Sequence, residues 1–221
     1  MLRREKSVRR ILIAALAGVA IAGAYASAAS ASIIYSLDVC KATGGCVSAG
    51  PYGTVSLTDD GSGNVNVEVK LAGNEAFAST GAGASLLWDL TGSPTISITG
   101  LTTGFMLEST TAGTIHADGT GDWMYAIDCT GCGSGGSAPQ LSGPLDFTIT
   151  GESAADFTQN GNKFYAASDI CFGATGTGCG NTGDVASDGA DPPASVPEPS
   201  PLALMGAGLL ALVIFRPRKA A

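Results

Sequence analysis

Basic residues are nearly missing from the middle of this 221-residue chain. Between residues 32 and 195 there are three, Lys41, Lys70 and Lys163, against 17 of the chain's 19 acids. That segment is near −14, whereas the whole chain is −8. A surface this acidic repels phosphate backbones, which excludes nucleic acid as a partner. It suits an exported soluble body, or one that collects divalent cations. Histidine occurs once, at His116. Zinc at Cys129 and Cys132 would need two further ligands, and the chain has no second Cys-x-x-Cys. There is no Gly-x-Ser-x-Gly elbow, and a hydrolase triad needs a nucleophile and an orienting acid around its histidine. A thioredoxin-like role for the Cys-x-x-Cys pair lacks its βαβ surroundings. No enzyme activity and no cofactor are therefore expected.

Helical periodicity is also scarce from 32 to 195, and alternation takes its place. Val65, Val67, Val69 and Leu71 alternate with Asn66, Glu68 and Lys70; Phe147 and Ile149 alternate with Asp146, Thr148 and Thr150. Period two with one polar face is the pattern of a half-buried strand. The sequence predicts strands near 33–39, 52–58, 64–71, 84–90, 95–99, 104–108, 123–128, 144–150 and 164–170, with one helical turn or a short helix near 154–160. The polar run from Asp59 to Asn64 reads as the turn of a hairpin. Many short strands between glycine-rich turns predict an all-β fold, a single antiparallel β-sandwich or jelly-roll-like domain over 32–179. From 180 to 195 apolar content falls, which predicts a flexible acidic linker containing Asp184, Asp188 and Asp191.

All six cysteines lie in this body, as pairs separated by five (Cys40, Cys46), two (Cys129, Cys132) and seven residues (Cys171, Cys179). An even count in an exported chain reads as disulfides. Sequence permits many connectivities; local pairing is the expectation.

The two ends read differently from the middle. Arg3, Arg4, Lys6, Arg9 and Arg10 precede an apolar, alanine-rich stretch and two Ala-x-Ala sites. This predicts a secretory signal peptide and signal helix over 1–31, cleaved after Ala31, and hence the general secretory machinery as a partner. At the other end Pro197, Glu198 and Pro199 precede an apolar run that begins at Leu202 and ends at Phe215. Arg216, Arg218 and Lys219 follow it. As a helix from Pro201 to Phe215 it spans roughly 22 Å at ~1.5 Å per residue, against a hydrocarbon core of about 30 Å. It is short for a permanent span, and its basic end stays cytoplasmic by the positive-inside rule. An ordinary single-pass anchor is the alternative.

The order of motif, hydrophobic helix and basic tail over 196–221 resembles the PEP-CTERM sorting signal. The resemblance implies handling by exosortase, through the Pro-Glu-Pro region, with membrane attachment through the C-terminal helix before processing. It implies transient residence at the inner membrane, then delivery to the cell surface or extracellular matrix. A structural or adhesive role in exopolysaccharide or biofilm follows from that context. Pro217, inside the basic cluster, is a small departure from the pattern. Segments of the body, among them 63–69, 116–121 and 143–149, resemble a recurring PEP-CTERM cargo domain to which no activity attaches.

Within the body, His116, Asp118 and Asp122 form the densest polar cluster. Asp118 and Asp122 are weak calcium candidates, with a self-capped turn as the simpler reading. Asp59 and Asp60 invite the same two readings. Trp88, Trp123, Tyr125 and Tyr165 are candidates for a sugar-stacking platform, with core burial as the alternative for Trp88 and partial exposure expected for Trp123. The alternative function is a secreted carbohydrate- or calcium-binding module; a secreted hydrolase ranks behind both.

Overall fold

The computed structural model describes residues 32–47, 49–80, 84–175 and 178–190. The signal segment with Ala31 lies outside them. So do the sorting motif (Pro197, Glu198, Pro199), Leu202, Phe215 and the basic residues Arg216, Arg218 and Lys219.

Two antiparallel sheets face each other. With strands numbered along the chain, one sheet holds β1 (Ser32–Ser36), β3 (Gly53–Asp59), β4 (Asn64–Leu71), β12 (Leu145–Thr150) and β7 (Ser97–Thr99), in the order β1-β3-β4-β12-β7. The other runs β2 (Val39–Cys40), β15 (Asn181–Ser187), β14 (Ala166–Phe172), β6 (Leu86–Leu90), β11 (Tyr125–Cys129), β8 (Phe105–Leu107). Two short strands join it at its side: β5 (Ala76–Phe77) pairs with β14, and β13 (Phe157–Thr158) with β6. A separate hairpin is formed by β9 (Ile115–Ala117) and β10 (Gly121–Trp123).

Alternation places the core. Val55, Leu57, Val65, Val67, Val69, Leu145, Phe147 and Ile149 point inward from the first sheet. They meet Leu86, Trp88, Leu90, Tyr125, Ile127, Ala166, Ile170, Phe172 and Val185 from the second. The Trp88 ring lies between Phe147 of the opposite sheet and Tyr125 of its own, with both centroids 5.6 Å away. Phe172 meets Tyr52 edge-on at 5.5 Å. The second sheet is buried on its outer face as well. There Leu87, Ala126, Ala167 and Ala186 pack with Ala84, Ala117, Trp123 and Phe164. This explains why β6 and β14 are buried at every position rather than at alternate ones.

Three disulfides pin turns and strand ends: Cys40–Cys46, Cys129–Cys132 and Cys171–Cys179. Each closes a loop of a few residues, so each restricts the unfolded chain by about 2 kcal/mol in the loop-entropy picture. None joins the two sheets; the core does that.

The region expected to be a linker is corrected in its first half. Asn181–Ser187 is a seven-residue strand, β15, in register with all of β14. Asp184 is buried rather than solvated, beside Val185, Ala186 and Ser187. Its first four residues, Asn181, Thr182, Gly183 and Asp184, are small or polar and carry no strand pattern. Gly183 runs so close to residue 42 that a β-carbon there would lie 2.4 Å from the Ala42 side chain. The one-turn or short helix expected near 154–160 is a single 3₁₀ turn, Ala154–Asp156, which ends where Phe157 enters β13. The expected strand at 123–128 divides in two, because β10 turns away to pair with β9 before β11 begins.

Two outcomes test this architecture. Phe147→Ala, which removes the ring against Trp88, lowers the unfolding free energy by about 3–5 kcal/mol in chemical denaturation. A chain ending after Gly180 loses its near-ultraviolet dichroism, whereas one ending after Ala190 keeps it.

Candidate functional site

The polar cluster found in the sequence sits on the β9–β10 hairpin. Its tight turn is built by Gly119 and Gly121, both at positive φ (+80° and +97°), which L-residues with a β-carbon seldom adopt. His116 and Asp122 are cross-strand partners. Imidazole Nδ1 lies 2.9 Å from Asp122 Oδ1, and Nε2 lies 3.8 Å from Asp118 Oδ1. All three side chains are about two-thirds or more exposed. The hydrogen bond to Asp122 is the largest cause of the raised His116 pKa, and the Asp122 and Asp118 charges add to it. In its cationic form the ring donates from both nitrogens. The structure thus gathers the calcium candidates Asp118 and Asp122 around one imidazole. Among the described residues no group of three or more His, Cys, Asp or Glu side chains could hold a metal ion.

Beneath the hairpin the contacts are buried. Trp123 is 1% exposed and donates its indole N–H to Thr120 Oγ1 at 3.2 Å. Asn160 uses both ends of its amide. It donates to the carbonyls of Thr120 and Asp122, and accepts from the amides of Asn162 and Phe164. It therefore ties residues 160–164 to the hairpin.

The other candidates resolve individually. Asp60 caps its own turn, accepting from Ser62 N, Asn64 N and Asn64 Nδ2. Asp59 accepts the amide of Ala154 at 2.7 Å. Trp88 and Tyr125 are fully buried in the core. Trp123 is buried too, contrary to its expected partial exposure, because Phe164, Ala117 and Leu87 enclose it. Tyr165 stacks on Tyr35 at 4.8 Å. These four aromatics do not converge on one exposed platform. The Cys129 and Cys132 sulfurs bond to each other and are not available as thiolate ligands.

Two features were not read from the sequence. One is a polar lattice on the outer face of the first sheet. Register aligns Ser32, Thr58, Asn66, Thr148 and Thr99 in one row across all five strands. Ser56, Glu68 and Asp146 form the next row. A shallow depression of about 210 Å³ lies over these residues, with Gly100 at its rim. Thr148 donates to Asn66 Oδ1 at 2.8 Å. The alternation was visible, but which hydroxyls share a row depends on register. The other is the burial of Asp169 and Asp184, at 1% and 4% exposure. The available signal was an acid set within the otherwise uncharged run Ala166–Phe172.

Replacing Asp122 by Asn removes the first cause of the His116 shift. The His116 pKa, followed by NMR of its ring protons, then falls back toward the ordinary histidine range.

No curated protein matches the chain, and no solved structure matches it. A family model does: the PEP-CTERM protein-sorting motif matches residues 195–219, the stretch that holds Pro197, Glu198, Pro199 and the hydrophobic run. The chain ahead of it is an antiparallel β-sandwich stapled by disulfides. It is an exported protein carrying a PEP-CTERM signal, sorted by exosortase to the cell surface.

Proposed function

We propose that this protein is a non-catalytic structural or adhesive component of the exopolysaccharide or biofilm matrix. The sorting match at residues 195–219 carries the reading, because it sets the destination of the folded body. Exosortase acts at Pro197–Pro199 while the apolar run from Leu202 to Phe215 holds the chain at the inner membrane. The body is then released or attached outside. The hydroxyl and amide rows of the first sheet support a role beside neutral or weakly charged polysaccharide. They offer many hydrogen-bonding groups on a nearly flat surface, with Lys70 as its basic group. The matrix ligand is held by several individually weak contacts, as net hydrogen bonds contribute only about 0.5–1.5 kcal/mol each.

A second reading, a dedicated carbohydrate-binding module, is favoured by the depression over Ser56, Asn66, Glu68 and Thr148. The two differ in selectivity. A module binds one glycan of a panel, whereas a matrix component is retained by the native exopolysaccharide without sharp preference.

Mass-spectrometric mapping of both termini on surface-fraction protein tests the sorting route. A chain beginning near Ser32 and ending near 197–200 is expected, with or without added mass. Replacing Pro197, Glu198 and Pro199 together by alanine leaves residues 202–221 attached, in the membrane fraction. A wild-type surface protein that retains Phe215 defeats the processing step. For the matrix role, the double variant Asn66→Ala, Thr148→Val lowers retention on exopolysaccharide by about 2- to 10-fold, the equivalent of one or two hydrogen bonds. Unchanged retention removes the sheet face from the proposal.

A further inference from the structure

Two carboxylates lie inside this fold with no cation against them. Asp169 of β14 and Asp184 of β15 are directly opposed in an antiparallel pair, so their side chains leave the same face of the sheet. Positions opposed in this way place their β-carbons about 4.5–5.5 Å apart. The face is the outer one, shared with Ala167 and Ala186. Each carboxylate receives one side-chain hydrogen bond: Asp169 Oδ2 from the Thr80 hydroxyl, and Asp184 Oδ2 from the Thr120 hydroxyl at 3.4 Å. Asp169 Oδ1 is buried and has no hydrogen-bond partner among the described residues.

Among the described residues no cation pairs with either aspartate, and the His116 charge acts on Asp184 only as the smallest of its influences. The hairpin brings His116 and Asp118, which sit at the surface and face each other. Strand β6 brings Asp89, whose carboxylate accepts the Met124 amide. Residues 39–46 bring Lys41. Its amide donates to the Asp184 carbonyl, but its ammonium lies over the Phe164 ring, 5.2 Å from the centroid. Two like charges cannot both be kept so close and so dry. A calcium ion would resolve the repulsion only with six or more oxygens around it, and among the described residues no third acid, histidine or cysteine joins Asp169 and Asp184 in a metal-binding group. A proton needs no room. It also answers the orphaned oxygen, since a carboxylic O–H on one aspartate donates to the carboxylate of the other.

We propose that Asp169 and Asp184 share a single proton as an acid–carboxylate pair, and that its loss admits water beneath the β9–β10 hairpin. The hairpin is the element affected because Thr120 bonds Asp184 directly and Trp123 bonds Thr120. Burial, and after it the charge of Asp169, push Asp184 up to about 7; burial pushes Asp169 up to about 6. Unfolded aspartates ionise near pH 4. Between there and neutrality the native pair binds a proton that the unfolded chain has given up. Stability therefore falls as pH rises through that window, and levels off above it. Other acids raised by burial, Asp89 and Asp128 among them, tilt stability in the same direction. The diagnostic quantity is thus the difference in slope between wild type and variant.

The test uses the full-length chain, wild type against Asp184→Asn and Asp169→Asn. Wild-type Tm is expected to fall between about pH 5 and about pH 8, and to fall less steeply in either variant. The wild-type infrared spectrum at about pH 6 should contain a carboxylic-acid carbonyl band that disappears by about pH 8. Amide exchange over residues 115–123 should rise across the same interval beyond the intrinsic effect of pH. A spectrum without that band at about pH 6 overturns the proposal even if neither variant folds. So do variants that keep the wild-type slope. A Tm raised by calcium at about pH 8, and not in the variants, would replace the shared proton with a cation and equally overturn it.

Discussion

Strand β14 has no residue facing water, and the rest of the body is arranged around that fact. Its seven positions, Ala166–Phe172, are buried on both faces. One face meets the first sheet through Ala166, Ile170 and Phe172. The other must be covered by something outside the two-layer sandwich. The β9–β10 hairpin, Ala84 and Phe164 supply that cover. Both edges of the strand are engaged too, by β15 along one side and by β6 and β5 along the other. At about 25 cal/mol per Å² of apolar surface, a strand enclosed this way contributes more than any exposed contact on the molecule. Strand β5 gains its order from it, since two residues cannot hold a position alone.

The sequence conveyed the first sheet well because that sheet is wet on one side. Water enforces alternation, and alternation is legible: β4 occupies 64–71 as expected, and β3 and β12 lie within a residue of their expected bounds. The second sheet is harder to read, because burial on both faces erases the period. β6 and β14 survive as apolar runs. β15 does not, because Asn181, Thr182, Gly183 and Asp184 have the composition of a linker. The short strands β5 and β9 are set by their partners and leave no pattern of their own, whereas the equally short β7 and β8 fall within the expected 95–99 and 104–108.

The same division governs function. The sorting signal is linear, so motif, apolar run and basic tail are all visible in order without any fold. Asp169 and Asp184 become neighbours only through register, and a slip of one residue would turn either to the opposite face. The hydroxyl row from Ser32 to Thr99 is equally a product of pairing. Cysteines occupy an intermediate position. Their close spacing suggested local pairs, and local pairs form, each at the end of a strand of the second sheet.

The position of β15 also imposes an order on birth. A chain is made from its N-terminus, yet β2, among the first strands to appear, has β15 as its partner in the sheet. That edge stays unfinished until Ser187 has been synthesised and delivered. Until then β14 has an open side, and the early strands wait for the last one. The nascent body thus cannot close on itself ahead of its own address, which begins only a few residues later at 195. A chain cut short ahead of β15 would lack both the strand that closes this sheet edge and the sorting signal that follows it.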